Sequence, residues 1–430
     1  EEGFTPSSLI NDAPIIFEDE ALEEKWRPRN ASGKFFGLTR LREGLLQSRN
    51  LVSVRLLREV GVEKVRNYSE KFGFDKQRLP ADLSLSLGTA SLNPLSNAVA
   101  YSVFANGGKK IEPFLIFLNA IFLVGIILFY NISIVHARSR APAWACLIAC
   151  KITRIKFVTT FHGTYNFNNN IKKFYNSVMA RADLIIAGSN FIFSHIKQNY
   201  SKYLDGKKKL MVIFRGINVD YFDPTTKIDI DEKKLLKKWD IEKDKKIILL
   251  PGRLTSWKGQ EVFIEAINLV NIELGYEAFY AVILGSDQGR DLYKKKLVRL
   301  SEQYRLSKQI RFIDHCKDMA LAYKVSDIVV SASTEPEAFG RVAVEAQSME
   351  KPIIASDIGG SKETIVDEKT GFLYQAGDAK SLSNKILKIL YMDETLLKSI
   401  GAQGRKNIVQ KFNVEKMCFS TYSEYKRLLN

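Results

Sequence analysis

The sequence predicts an α/β protein built on doubly wound parallel sheets from about residue 131 onward. Three observations carry this expectation. Short apolar runs such as "KIILLPG", "YAVILGS" and "DIVVSAS" alternate with helical segments of ten or so residues, the pattern of parallel strands joined by crossover helices. The runs are apolar throughout rather than alternating, as in strands covered on both faces. The stretch "DPTTKIDIDEKKLLKKW" is polar and proline-punctuated, which marks a boundary between two such units.

The elements follow in order. "ISIVHARS", "KFVTTFHGT", "ADLIIAGSN" and "KLMVIFRG" read as strands, with "PAWACLIACKI" and "FIFSHIKQNY" as intervening helices. Beyond residue 245, "KIILLPGRL", "YAVILGS", "IRFID", "DIVVSAS" and "KPIIAS" read as strands. "GQEVFIEAINLV", "DLYKKKLVRLSEQY", "MALAYKVS" and "GRVAVEAQSM" read as the helices between them. The first 112 residues have a different style. Residues 1–38 are loop-like, with Pro6, Pro14 and Pro28. "TRLREGLLQSRNLVSVRLLREVG" has helical spacing, and a turn is expected at Gly107–Gly108. From Pro113 to Tyr130 only Asn119 is polar. That length sits at the threshold for a membrane span. The favoured reading is a buried helix over 118–130, formed where two sequences abut, with an apolar surface able to adhere to a membrane.

A chain of 430 residues suggests two or three domains. Its formal net charge is +16, and residues 1–112 carry sixteen basic and fifteen acidic side chains, so nearly all the excess lies beyond them. A basic surface suits anionic partners such as phosphorylated substrates or an anionic bilayer, and is equally compatible with Lys-rich solvated helices. Cys146, Cys150, Cys316 and Cys418 show no zinc spacing with histidine and read as buried thiols of a reducing compartment. The chain opens "EEGF", with no signal-peptide pattern.

The most informative segment is "STEPEAFGRVAVEAQSMEKPIIASDIGGSKETIVDEKTGFL". Glu337 falls in the loop after a strand, and Glu345 in the helix entered at Gly340, with seven residues between them. Ligands of open α/β sheets bind beyond the C-terminal ends of strands, and a helix N-terminus there offers free N–H groups to phosphate. Carboxylates in such a crevice can accept hydrogen bonds from sugar hydroxyls. Gly359 and Gly360 follow the next strand, where backbone can approach a ligand closely. In "PGRLTSWKG", Gly252, Arg253 and Lys258 lie between strand and helix, a guanidinium fork and a point charge suited to a diphosphate. His162 ends a strand in "TTFHGT". His136, His195 and His315 gain no weight from spacing. Arg138 and Arg140 in "HARSRAP" suit either a phosphate or a packing and salt-bridge role.

From about residue 131 to 430 these motifs, in this order, resemble retaining glycosyltransferases of the GT-B fold with an E-x7-E signature. "PGRLTSWKG" is similar to their G-R-L-x3-K-G loop, "EAFGRVAVE" to E-x-F-G-x4-E, and "GGSKETI" with "KTGFL" to G-G-x2-E and G-x-L. "FRGINVDYFDP" is similar to their boundary segment. "IVHARSRAPAW" and "FVTTFHGTYNF" resemble the subgroup that builds bacterial envelope polysaccharide, lipopolysaccharide or capsule. The resemblance implies that Arg253 and Lys258 hold a nucleoside diphosphate. Glu337, with the Phe339–Gly340 backbone, meets the transferred sugar and phosphate. Glu345 binds the ribose, Gly359–Gly360 help cradle the donor, and His162 reaches the sugar. It implies a nucleotide-sugar donor, a glycan or lipid-linked acceptor, no cofactor and no metal, since positive charge and N–H donors stabilise the leaving group. Nucleic acid is not an expected partner. The implied location is cytoplasmic, peripheral at the inner face of the plasma membrane.

Residues 1–116 resemble instead part of the transpeptidase domain of class A penicillin-binding proteins, over "TPSSLINDAPIIFED", "WRPRNASGKFFGLTRLREGLLQSRNLVSVRLLREVG" and "LSLSLGTASLNPLSNAVAYSVFANGGKKIEPFLI". Ser48 and Asn50 resemble the S-x-N element. Residues 1–112 contain no S-x-x-K, and the only K-T-G, Lys369–Gly371, lies in the glycosyltransferase-like part. Without that nucleophile acyl transfer is not expected. The expected organisation is a transpeptidase-like α+β fragment (1–116), an acceptor-side Rossmann-like domain lacking its first βα units (117–225), and a donor-binding Rossmann-like domain (226–430). An active glycosyltransferase and an inactive fusion of two truncated parts are the two readings this organisation leaves.

Overall fold

The computed structural model describes residues 3–15, 26–72, 74–90, 92, 113–165, 167, 169–204, 209–225, 232–242, 244–275, 278–289 and 291–430. The turn expected at Gly107–Gly108 lies outside them. The chain divides into two compact units, Glu1–Leu118 and Asn119–Asn430.

In the first unit, β1 (Leu9–Asp12) pairs antiparallel with β2 (Gly37–Arg40). The helical run breaks into α1 (Leu41–Leu46), α2 (Asn50–Val60) and α3 (Val62–Ser69). The second break falls at Gly61, whose φ of 94° ends α2. α2 buries Leu51, Val52, Val54 and Leu57. Beneath it Asn30 donates to Asp12 Oδ1 at 2.7 Å and accepts from the Leu51 amide, while Asp12 Oδ2 is buried without a partner among the described residues.

α4 (Pro113–Phe129) spans the point in the chain where the first unit ends and the second begins. Ala120 and Ile127 are buried, but Phe117, Ile121, Phe122, Leu128 and Phe129 are exposed, Phe129 by 82%. The expected buried helix over 118–130 is therefore corrected: an all-apolar helix has more apolar faces than its neighbours cover, and most of it remains in solvent. Among the described residues no helix is long and apolar enough to cross a membrane.

β3 (Ile134–Ala137), α5 (Arg140–Thr153), β4 (Lys156–Phe161), α6 (Asn170–Asn176), β5 (Leu184–Ala187), α7 (Asn190–Tyr200) and β6 (Lys209–Val212) follow. The four strands form a parallel sheet in the order β3-β4-β5-β6. One face packs on Ala143, Cys146 and Cys150 of α5 and Ile192 and Ile196 of α7.

The second sheet holds β7 (Lys246–Pro251), β8 (Phe279–Leu284), β9 (Ile310–Ile313), β10 (Ile328–Ser331), β11 (Ile353–Ser356) and β12 (Phe372–Tyr374). All pairs are parallel, in the order β12-β11-β10-β7-β8-β9. This doubly wound order reverses between β7 and β10, which opens a crevice at their C-terminal ends. Successive strand residues alternate faces. Ile247, Leu249 and Val329 face α8 (Glu232–Lys238), α11 (Met319–Val325) and α12 (Arg341–Ser348). Ile248, Leu250 and Val330 face α9 (Gln260–Leu274), α10 (Asp291–Gln303) and α14 (Ala379–Leu390). Burial on both faces explains the unbroken apolar runs.

A short α13 (Ser361–Thr364) precedes β12, and α15 (Glu394–Lys411) leads into α16 (Val414–Leu429). That last helix returns to the first sheet: Met417, Tyr425 and Leu428 pack on Val158, Leu184 and Ile186, and Glu424 pairs with Lys209 at 2.6 Å. Cys146 and Cys150 are buried free thiols, and burial pushes Cys150 up to about 12. Cys316 is half-buried and Cys418 is exposed on α16, contrary to the expectation of four buried thiols.

Candidate active site

A cavity of about 770 Å³ gathers the loops that follow the strands of both sheets. β4 delivers His162, β6 delivers Arg215, β7 delivers Gly252 and Arg253, and β10 leads to Glu337. Phe339 and Gly340 complete the lining on the same loop, and Lys258 comes from the turn before α9. Seven of the ten glycosyltransferase-like residues singled out from sequence line this cavity, and Glu345, Gly359 and Gly360 lie behind it.

Lys258 Nζ donates to Glu337 Oε1 at 2.6 Å, and Ser333 Oγ donates to the same oxygen. Lys258 also lies over the Trp257 ring, 4.5 Å from its centre, and Arg253 presents an exposed guanidinium. The cleft thus holds two cations on the β7 side and a carboxylate on the β10 side. Gly340 takes a φ of 79° at the start of α12.

Gly359 and Gly360 do not line the cavity. The Gly360 amide donates to the Glu337 carbonyl at 2.8 Å. A Cβ on Gly359 would sit 2.6 Å from that carbonyl, and one on Gly360 2.6 Å from Phe339 Cα. Their close approach is to the loop that carries Glu337, which they shape from behind.

Glu345 is buried behind the cleft. Tyr323 OH donates to its Oε2 at 2.8 Å, and Arg341 donates twice to Oε1, at 3.0 and 2.6 Å. Burial and the neighbouring carboxylate push the Tyr323 hydroxyl well above its ordinary range, so it stays a donor. Arg341, not Glu345, reaches the lining.

His162 accepts from Arg138 Nε at 3.2 Å through Nε2, and its Nδ1 is buried without a partner among the described residues. Burial, aided by Arg215 and Arg138, lowers it to about 4. The imidazole is therefore neutral near pH 7 and can donate or accept without adding charge.

Sequence reasoning missed several lining residues: Phe191, His195, Arg215, Trp257 and Arg341. Arg215 follows a strand in "FRGIN" as Arg138 does in "HARS", and that shared placement was the available signal. His195 lies inside an amphipathic helix, where nothing in the spacing sets it apart. The motif glutamate of "GGSKE" also has a role that sequence did not suggest. Glu363 accepts from the Asn190 and Phe191 amides at 2.7 and 2.6 Å and from Asn190 Nδ2 at 2.9 Å. It caps the N-terminus of α7, so a carboxylate from one sheet's side meets the positive helix end on the other.

In the first unit Ser48 is exposed in the turn between α1 and α2, with a φ of 49°. Asn50 Nδ2 donates to the Arg29 carbonyl at 2.8 Å, a structural bond. Lys369–Gly371 lies in the turn before β12, where Thr370 Oγ1 accepts from the Val366 amide at 2.9 Å.

Comparison with known proteins agrees with this architecture. Residues 231–407 match the family Glycosyl transferases group 1, residues 93–221 match Glycosyltransferase Family 4, and residues 1–119 match the Penicillin binding protein transpeptidase domain. The crystal structure of a glycosyltransferase from Rickettsia africae is 33% identical, with a TM-score of 0.68, over 86% of this chain and 96% of that one. Anabaena HepE in complex with UDP shares the fold at 22% identity and a TM-score of 0.63, over 72% of this chain and 82% of that one. The chain belongs to the group 1 glycosyltransferases of GT-B fold, and it carries a penicillin-binding-protein transpeptidase segment ahead of them. That segment is 51% identical to penicillin-binding protein 1A of Pseudomonas aeruginosa over 116 residues, and 48% identical to that of Vibrio cholerae over 115. Each match covers 27% of this chain but only 14% of the relative's length.

Proposed function

We propose that this glycosyltransferase moves a hexose, with retention of anomeric configuration, from a nucleoside diphosphate sugar to an envelope glycan or lipid-linked acceptor. The observation that carries the reading is the convergence of Arg253, Lys258, Glu337 and His162 on one cleft at the switch point of the second sheet. Arg253 and Lys258 meet the diphosphate. The start of α12 at Gly340 presents amides to the same phosphates, and Glu337 orients a hydroxyl of the transferred sugar. Glu345 is reserved for the ribose, which reaches it once Arg341 swings aside. His162, neutral, hydrogen-bonds the sugar from the other wall. Departure of the nucleoside diphosphate is favoured by the fixed cations and amides rather than by a metal of the protein's own. The phosphate oxygen it exposes takes the acceptor's proton on the face where the new bond forms. The same reading has the chain working at the inner face of the plasma membrane, with the exposed apolar side of α4 against lipid.

Nuclear magnetic resonance of the sugar released or transferred from α-linked UDP- and GDP-hexoses tests this. Retention gives the α product first. An initial β product contradicts retention, and no turnover with any donor contradicts the enzyme itself.

A second reading, an inactive fusion product, is favoured by one observation. The first sheet has four described strands, with β3 at its edge and the apolar α4 largely uncovered beside it. Normal donor binding without transfer to any acceptor would support it.

A further inference from the structure

A second cavity, of about 270 Å³, opens beside the donor cleft between the C-terminal strand ends of the first sheet and α16. His162 and Arg215 line both cavities. Arg138 lies on the second alone, with Tyr422, Tyr425 and Met417 of α16 opposite. No carboxylate is among its lining residues.

The two neighbouring arginines of the "HARSR" segment part company here. Arg140 donates to Asn176 Oδ1 at 2.8 Å and stacks on the Tyr165 ring, 4.7 Å from its centre, a packing role. Among the described residues Arg138, exposed at the cavity, bonds His162 alone, through Nε, so the two terminal nitrogens of its fork have no partner there. Arg215 is half-buried and forms no ion pair or side-chain hydrogen bond with any described residue. Burial and the like charges of Arg341 and Arg138 lower its proton affinity. The half-buried Arg215 guanidinium, beside the exposed Arg138 and with no acid among the residues lining the cavity, is unfavourable unless an anion meets it. Planar forks of this kind match phosphate and carboxylate. The tyrosine rings and Met417 opposite offer apolar surface to a sugar ring. The volume falls below the roughly 300–1,000 Å³ of sites for larger ligands, so it suits a single ring.

We propose that this cavity seats an anionic sugar of the acceptor, bearing a phosphate or a carboxylate, through Arg138 and Arg215, next to the point of transfer at His162. The inference rests on the proposed glycosyltransferase reading and adds the acceptor's charge to it.

Calorimetric titration of the full chain with inorganic phosphate, glucuronate and glucose tests it, each with and without saturating UDP or GDP. Phosphate or glucuronate should bind and glucose should not. Arg138→Gln should weaken the charged ligand by about ten- to a hundredfold, the range of a charge-assisted hydrogen bond. Thr421→Asp, which sets a carboxylate in the cavity without removing either arginine, should do the same. Nucleotide affinity should change by less than about twofold in both variants, within the scatter of a group that makes no direct contact. The phosphate and glucuronate arms decide which anion the acceptor carries. Equal binding by wild type and Arg138→Gln would overturn the proposal. So would one-for-one displacement of the anion by nucleotide, which would give the arginines to the donor phosphates. Anion binding without nucleotide binding would leave the cavity standing and sink the donor reading; the converse would do the reverse.

Discussion

Lys258 and Glu337 form an ion pair of 2.6 Å that joins the loop after β7 to the loop after β10. These are the two strands between which the sheet order reverses, so the pair spans the crevice where a ligand of such a fold binds. Both side chains are mostly buried, and screening by solvent is correspondingly weak. Lys258→Ala should weaken nucleoside diphosphate binding by about ten- to a hundredfold, from the loss of one charge-assisted bond. Calorimetry with UDP and GDP checks this, and an unchanged affinity would remove Lys258 from the phosphate site.

Glu363 holds the start of α7 through two backbone amides and one side-chain amide. Glu363→Ala should cost about 1–2 kcal/mol in denaturant unfolding, as loss of a helix cap does. It should also expand the chain in small-angle scattering, because the carboxylate bridges the sides of the two sheets. A stability loss with no change in dimensions would make it a cap and nothing more.

Tyr323→Phe keeps the ring in the core but strips one bond from the Glu345 carboxylate. A buried acceptor left unmet costs about 1–3 kcal/mol. The midpoint of urea unfolding should fall with no change in slope. Nucleotide affinity should fall as well if Glu345 serves the ribose.

His136 joins the first sheet to α16, through Thr160 Oγ1 at 2.7 Å and the Tyr425 hydroxyl. Burial and Arg138 lower it to about 4, and His162 is lowered likewise. Unfolded histidines titrate near 6.5. Between these values the unfolded chain binds more protons than the folded one, so stability falls as pH drops through that window. Melting temperature should decline from pH 6.5 toward 4, and His136→Gln should flatten the decline. An unaltered slope in the variant would contradict the assignment.

Much of the fold was legible because burial on both sheet faces writes unbroken apolar strands, as in Ile247–Leu250 and Ile328–Val330. Arg253, Lys258 and Glu337 were legible because each stands in a loop that leads from a strand to a helix, and the structure brings them together. Gly359 and Gly360 were read as leaving room for a ligand; the space instead admits the Glu337–Phe339 backbone, a long-range approach that spacing does not encode. Glu345 was read as part of the cleft, yet its bonds to Tyr323 and Arg341 hold it behind the wall. Residues 118–130 were read as buried from composition alone. Composition records a wish for apolar contact but not whether a partner is present, and α4 remains largely exposed.

The central claim is that the cleft between the two sheets binds a sugar nucleotide through Arg253 and Lys258. Titrating the full chain with UDP-hexoses and GDP-hexoses, beside Arg253→Ala and Lys258→Ala, tests it most directly. Saturable one-to-one binding of one nucleotide class is expected, weakened by either substitution in variants that still unfold cooperatively, with some loss of melting temperature in Lys258→Ala because the mostly buried Glu337 loses its partner. Absence of binding by a folded wild-type chain, or binding that neither substitution affects, would contradict it.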